Sequence, residues 1–340
     1  MRFARRCLLP LAAAALFAAC ESQPPAGLVI YSARNEQLLQ PILDRYAQET
    51  GRQARFLTDK EAALVERLAA EGASSPADLL ITVDAGNLWQ AAERGLLQPV
   101  ESAVLARNIP AHLRDPQNRW FGLSVRARTV VYAPARVPPA GLSTYEALAE
   151  PAWKGRLCLR TSKKVYNQSL VAMLIAAHGE ARAEAIVRGW VANLAVPPFA
   201  NDNEVMEAIV AGRCDAGLVN TYYYGRLKRE KPDLPLALFW PNQGAAGGDG
   251  RGVHVNVSGA GVTRHAPHAA EARHFLEWLS GDAAQGLFAS LNLEYPANPA
   301  VAPDPAVAAW GSFRQDLINV SKAGSLQADA VRLMDRAGYQ

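Results

Sequence analysis

Two long extended runs, "WFGLSVRARTVVYAP" (120–134) and "GVHVNVSGAGVT" (252–263), divide this sequence into two series of short apolar runs alternating with amphipathic helical stretches. In the first series "LVIYSA" precedes "NEQLLQPILDRYAQETG", where Leu38, Leu39, Ile42, Leu43 and Tyr46 recur at helical spacing and Gly51 supplies the stop. "QARFLT", "KEAALVERLAAEG", "DLLITV" and "GNLWQAAERG" continue the alternation. After the first extended run and a proline-rich stretch, the second series follows: "RLCLRT", "YNQSLVAMLIAAHG", "EARAEAIVRGWVANLAV", "EVMEAIVAGRC" and "DAGLVNT". Alternation of this kind predicts an α/β fold with mostly parallel strands. Two such series separated by extended runs predict two lobes joined by crossing strands, with the ligand cleft between them.

The first residues read as an export signal. Arg2, Arg5 and Arg6 precede an apolar run from Leu8 to Ala19, which is too short to span a bilayer and leads through small residues to Cys20. "LFAAC" resembles a lipobox, so residues 1–19 are expected to be removed and Cys20 to become a lipidated first residue, followed by a polar tether over 20–27. That places the protein in the periplasm, lipid-anchored to a membrane. The chain has 35 Lys and Arg against 32 Asp and Glu, and three of those arginines fall in the leader, so the remainder is 32 against 32. A balanced charge excludes a nucleic-acid or anionic-lipid surface built on a basic excess. Roughly 310 residues remain after the tether, enough for two lobes of ordinary size. With Cys7 in the leader and Cys20 as the lipid site, Cys158 and Cys214 are left, and in an exported chain such a pair is expected to form a disulfide.

Several motifs carry no chemistry. The glycine-rich "GAAGGDGRG" (244–252) lacks the spacing of a P-loop or dinucleotide fingerprint and reads as a surface loop. "NVSGAG" misses the first position of a nucleophile elbow, and no catalytic set of nucleophile, base and acid stands out, so an enzyme is not expected. The six histidines form no zinc-type spacing.

"VNTYYYGRL" (219–227) does carry chemistry, because it sets Tyr222, Tyr223 and Tyr224 in a row. In a strand, adjacent side chains point to opposite faces and could not share a ligand. "DAGLVN" reads as a strand and "TYYYGRLKRE" as a helix start with Asn220 or Thr221 able to cap it. At such a turn two neighbouring phenols can bend toward one point while Tyr224 faces packing; an aromatic strand end is the plainer alternative. Phenolate is a hard anionic oxygen suited to trivalent iron, and a phenol, with a pKa near 10, must lose its proton to bind metal.

These residues resemble the periplasmic ferric-iron-binding proteins of ABC importers. The likeness runs through "VIYSARNEQLLQPIL", "PADLLITVDAGNLW", "LSVRARTVVY", "RTSKKVYNQSLVAMLIAAHG", "GRCDAGLVNTYYYGRL", "GAGVTRHAP" and "LEYPANP". It implies a type II two-lobed periplasmic binding protein, with an N-lobe over 28–124 plus about 255–300 and a C-lobe over about 125–254 plus 301–340. It further implies that Tyr222, Tyr223 and Tyr166 of "YNQSL" ligate Fe3+. Members with a histidine and tyrosine in the "YSARNE" region use them at or near the metal, whereas this chain has Asn35 and Glu36; Glu36 is then either an oxygen donor or a helix N-terminal carboxylate. Val83 stands where other members carry a glutamate. Arg34 and Arg126, with Thr161 and Asn220 beside them, are the expected holders of carbonate or another synergistic anion, the alternative for each arginine being a structural salt bridge. The implied partners are an inner-membrane ABC permease and its ATPase, served by a monomer. Because a fold does not fix a ligand, a solute-binding protein for a polyamine, thiamine or an oxyanion is the competing reading.

Overall fold

The computed structural model describes residues 27–244 and 250–340. The leader, Cys20 and nearly all of the tether fall outside them, as do positions 245–249 of the glycine-rich loop. Among the described residues no helix is long and apolar enough to cross a membrane.

The strands are β1 (Leu28–Ser32), β2 (Ala54–Thr58), β3 (Leu79–Thr82), β4 (Phe121–Tyr132), β5 (Leu157–Cys158), β6 (Ala216–Asn220), β7 (Ala237–Phe239), β8 (Val255–Val262) and β9 (Tyr295–Pro296). They join in the order β2-β1-β3-β8-β4-β6-β5, with β7 and β9 also on β4. Within each α/β series the pairing is parallel: β1 with β2 and β3, and β5 with β6. Wherever β4 or β8 meets a neighbour it is antiparallel. The expectation of mostly parallel strands is therefore corrected. Helical crossovers keep the strands within a series parallel, but β4 and β8 are long connections that enter against the local direction.

β4 serves both halves of the molecule. Phe121–Ala127 pairs with β8, and Arg128–Tyr132 pairs with β6. All of β4 is buried, including Ser124, Arg126, Arg128 and Thr129 in its middle. Arginines buried in a strand must find charged or hydrogen-bonded partners, and those partners build the cleft.

The predicted stripe of the first helix is observed: in Glu36–Thr50, Leu39, Ile42, Leu43 and Tyr46 are buried, and Gly51 ends the helix in a left-handed conformation. The helix Val165–His178 is buried over most of its surface. Its first turn is held by the chain end, since the Tyr339 hydroxyl donates to the Arg160 carbonyl and accepts from Asn167 Nδ2 at 2.7 Å.

Cys158 and Cys214 are joined in a disulfide with Cα atoms 5.9 Å apart. It ties β5 to the loop that feeds β6, and both cysteines are buried among Val131, Val205 and Ile209. Closing 56 residues of separation constrains the unfolded chain. Reduction is expected to lower unfolding stability by about 2–4 kcal/mol, read from urea melts with and without reductant. Ready alkylation of Cys158 and Cys214 in the unreduced, denatured protein would show the bond absent.

Candidate metal centre

The cleft is built from the ends of strands. β6 stops at Asn220 and the helix Thr221–Glu230 starts at once, so its first turn projects from the sheet edge. Asn220 occupies the cap position but makes no capping bond. Its Oδ1 accepts from Arg128 Nη1 at 3.0 Å and its Nδ2 donates to the Tyr222 hydroxyl at 3.2 Å. The capping role is corrected for that reason: a buried guanidinium on the neighbouring strand takes the side chain first.

At about 100° per helical residue, three consecutive tyrosines cannot share one direction. Tyr222 and Tyr223 lie together, ring centroids 4.5 Å apart, and both line a cavity of about 250 Å³. Tyr224 turns the other way, donating its hydroxyl to the Leu236 carbonyl at 3.2 Å with its ring edge on Trp310. Gly225 allows this, because a Cβ there would lie 2.6 Å from the Trp310 ring. Tyr166, in the first turn of Val165–His178, lines the same cavity, close enough to Tyr222 and Tyr223 for their phenols to influence one another electrostatically.

Four arginines surround this trio. Arg126 lies 5.1 Å and Arg160 5.2 Å from the Tyr166 ring, and Arg226 stacks 5.1 Å from Tyr222 and 4.9 Å from Tyr223. Arg160 also lies 6.0 Å from the Tyr223 ring. Arg34 lines the far wall. Burial pushes the Tyr222 phenol well above its ordinary value, and repulsion between it, Tyr166 and Tyr223 adds to the shift. Tyr166 is raised as well, by burial first, with Arg126 pulling it back. Without a cation in the cleft the Tyr166 and Tyr222 phenols keep their protons.

Of the sequence-derived anion residues, Arg34 and Arg126 face the cavity, and each already holds a carboxylate. Arg34 Nη2 is 2.7 Å from Glu294 and Arg126 Nη2 is 2.7 Å from Asp84, all four buried. Arg34 Nε and Arg126 Nη1 remain buried with no acceptor among the described residues. Thr161 does not line the cavity; its hydroxyl accepts from Lys163 N at 3.3 Å. Asn220 does not line this cavity; it bonds to Tyr222 and shares a small adjoining hollow with Arg126 and Tyr166. Glu36 is exposed and opens onto an adjoining hollow, so it is not one of the cavity walls. Sequence reasoning missed Arg160, Arg226, Asp84, Glu294 and Glu61, the last a cavity wall at the start of the helix Glu61–Glu71. Only Arg226 had a readable signal, sitting four and three residues after Tyr222 and Tyr223 on one helix.

Among the described residues no three His, Cys, Asp or Glu cluster as a metal site, and the cavity's ionisable oxygen-bearing walls are the three phenols with Glu61 and Glu294. Two α/β halves joined by a shared long strand, with a polar cleft at the join, define a two-lobed solute-binding protein. Residues 42–315 match the bacterial extracellular solute-binding protein family, and the chain belongs to it. It is 42% identical over 317 residues to iron uptake protein A1 of Synechocystis sp., spanning 92% of this chain and 87% of that protein. A Trichodesmium protein solved in complex with iron and citrate ligands superposes with a TM-score of 0.88 at 44% identity, covering 92% of this chain and 100% of that one. The ferric iron-binding protein A of Mannheimia haemolytica, in an open conformation, superposes with a TM-score of 0.85 at 34% identity, covering 92% and 99%. The expected type II two-lobed fold is thereby established.

Proposed function

We propose that this protein binds ferric iron in the cleft through the phenolates of Tyr166, Tyr222 and Tyr223, in the periplasm, and hands it to an inner-membrane ABC permease and its ATPase. The observation that carries this is the convergence of three phenols, from two separate segments, on one cavity flanked by arginines. Three phenolates balance the ferric charge, and the arginines stabilise them once the protons leave. An anion such as carbonate completes the coordination, with Arg126 Nη1 and Arg34 Nε the donors left for it. The iron-and-citrate complex of the Trichodesmium relative supports both the cargo and an anionic companion. We place the N-lobe at 28–124 plus about 255–300 and the C-lobe over the rest of the described chain. Cargo binding accompanies lobe closure, and the closed form is what a permease recognises. The protein acts as a carrier rather than an enzyme.

Metal-free protein titrated with a soluble ferric salt, with bicarbonate present, is expected to turn orange to red from phenolate-to-iron charge transfer. Each phenol that binds releases a proton, so affinity falls on acidification and is kept at alkaline pH. Bleaching on acidification, followed by visible absorption, checks the sign. Ferric uptake without a visible band, or no uptake, would remove the tyrosine assignment and bring the polyamine or oxyanion reading forward.

A further inference from the structure

The three cargo donors, Tyr166, Tyr222 and Tyr223, all lie on the C-lobe side. A two-lobed carrier closes on its cargo only if the second lobe gains contacts with that cargo, because a ligand shifts a conformational equilibrium solely through differential affinity. The N-lobe wall of the cavity offers few groups that could serve. Asn35 and Val83 are neutral, and Glu294 is engaged at 2.7 Å by Arg34 within a buried pair. Glu36 sits outside the cavity.

Glu61 is different. It lines the cavity with the three tyrosines, is half-buried, and begins the helix Glu61–Glu71 after an extended Lys60. Among the described residues its carboxylate has neither a hydrogen bond nor an ion pair. Among the described residues it is the one cavity-lining carboxylate from this lobe with both oxygens uncommitted, and a carboxylate oxygen is the same hard, anionic donor class as a phenolate. Arg226 lines the same cavity, likewise has no carboxylate partner among the described residues, and stacks on Tyr222 and Tyr223.

We propose that Glu61 is the N-lobe's oxygen donor to the cargo, the residue that makes lobe closure depend on iron. The proposal rests on the ferric reading above. In Glu61→Gln the side chain keeps its shape and loses its charge. Iron-loaded Glu61→Gln is expected to remain coloured, with its band shifted. Its affinity for ferric ion is expected to fall by at least the ~10-fold that losing even an outer partner of a metal site costs. The compaction seen by small-angle scattering when iron is added is expected to disappear. Glu36→Gln is the control, with band, affinity and compaction unchanged.

A Glu61→Gln protein whose band, affinity and compaction all match the wild type overturns the proposal while leaving the tyrosine site standing. A double-mutant cycle with Arg226→Gln separates direct ligation from a salt bridge across the cleft. If the Glu61 effect vanishes in the Arg226→Gln background, Glu61 acts through Arg226 and the proposal falls. If it persists there, ligation is supported. A wild-type protein that shows no colour with ferric iron removes the ferric reading, and this inference with it.

Discussion

Tyr223→Phe is expected to weaken ferric binding by at least the ~10-fold that losing even an outer partner of a metal site costs, and to bleach or shift the visible band. Phenylalanine keeps the ring against Tyr222 and Arg226 and deletes only the oxygen. Tyr222→Phe should weaken binding at least as much, but with a side effect. Tyr222 also accepts from Asn220 Nδ2, so the variant leaves a buried amide donor unmatched. A penalty of about 1–3 kcal/mol in stability accompanies that loss. Tyr223→Phe is therefore the cleaner test of ligation. Tyr224→Phe is the internal control: it loses one hydrogen bond to the Leu236 carbonyl, about 1 kcal/mol, and faces Trp310 rather than the cleft. Its colour and affinity are expected to stay at wild-type values. Equal damage from Tyr224→Phe and Tyr223→Phe, in a visible iron titration, would mean that the cleft phenols are not the ligands.

The divergence of Tyr224 from its two neighbours is legible in the amino-acid sequence, because a strand ending at Asn220 and a helix starting at Thr221 set the directions of three consecutive side chains. The two α/β series and the long runs joining them are legible for a similar reason, since periodicity and strand length are local properties. What lies hidden depends on distance in sequence. Arg34 and Arg126 are readable as cleft arginines, but their carboxylates stand 260 and 42 residues away, and no spacing connects them. Thr161 and Glu36 are natural site members by their neighbours "YNQSL" and "YSARNE". A turn before one helix and the first turn of another carry both away from the cavity. Glu61 gives no signal at all, being a glutamate at the start of an exposed amphipathic helix, a common surface pattern. The antiparallel pairing of β4 and β8 is hidden as well, because strand direction is settled by how the two series are assembled.

Asp84 shows how much such hidden pairings contribute. It is wholly buried, caps the helix Ala85–Glu93 through Gly86 N at 2.8 Å, and accepts from Arg126 Nη2 at 2.7 Å, Asn256 Nδ2 at 3.0 Å and Ser169 Oγ at 3.2 Å. Arg126 and Asn256 are register partners on β4 and β8, and Ser169 lies one turn beyond Tyr166 on its helix. One carboxylate thus fastens both long strands to the helix that carries a proposed ligand. Burial pushes the Asp84 carboxyl up from its ordinary value, and the Arg126 guanidinium and the three other donors pull it back. Arginine stays charged in proteins, so removing Asp84 strands a buried cation. Asp84→Ala is expected to cost about 3–5 kcal/mol of unfolding free energy, measured by urea denaturation of the metal-free protein. Replacing both partners, as Asp84→Ala with Arg126→Met, is expected to recover part of that loss, because the stranded charge goes with the arginine. A single variant within about 1 kcal/mol of wild type, or a double variant no more stable than the single, would show that the pair is not what holds this junction. The two outcomes also separate stability from function. The double variant, though firmer, lacks the guanidinium 5.1 Å from the Tyr166 ring, so its ferric affinity is expected to stay low even where its fold is restored.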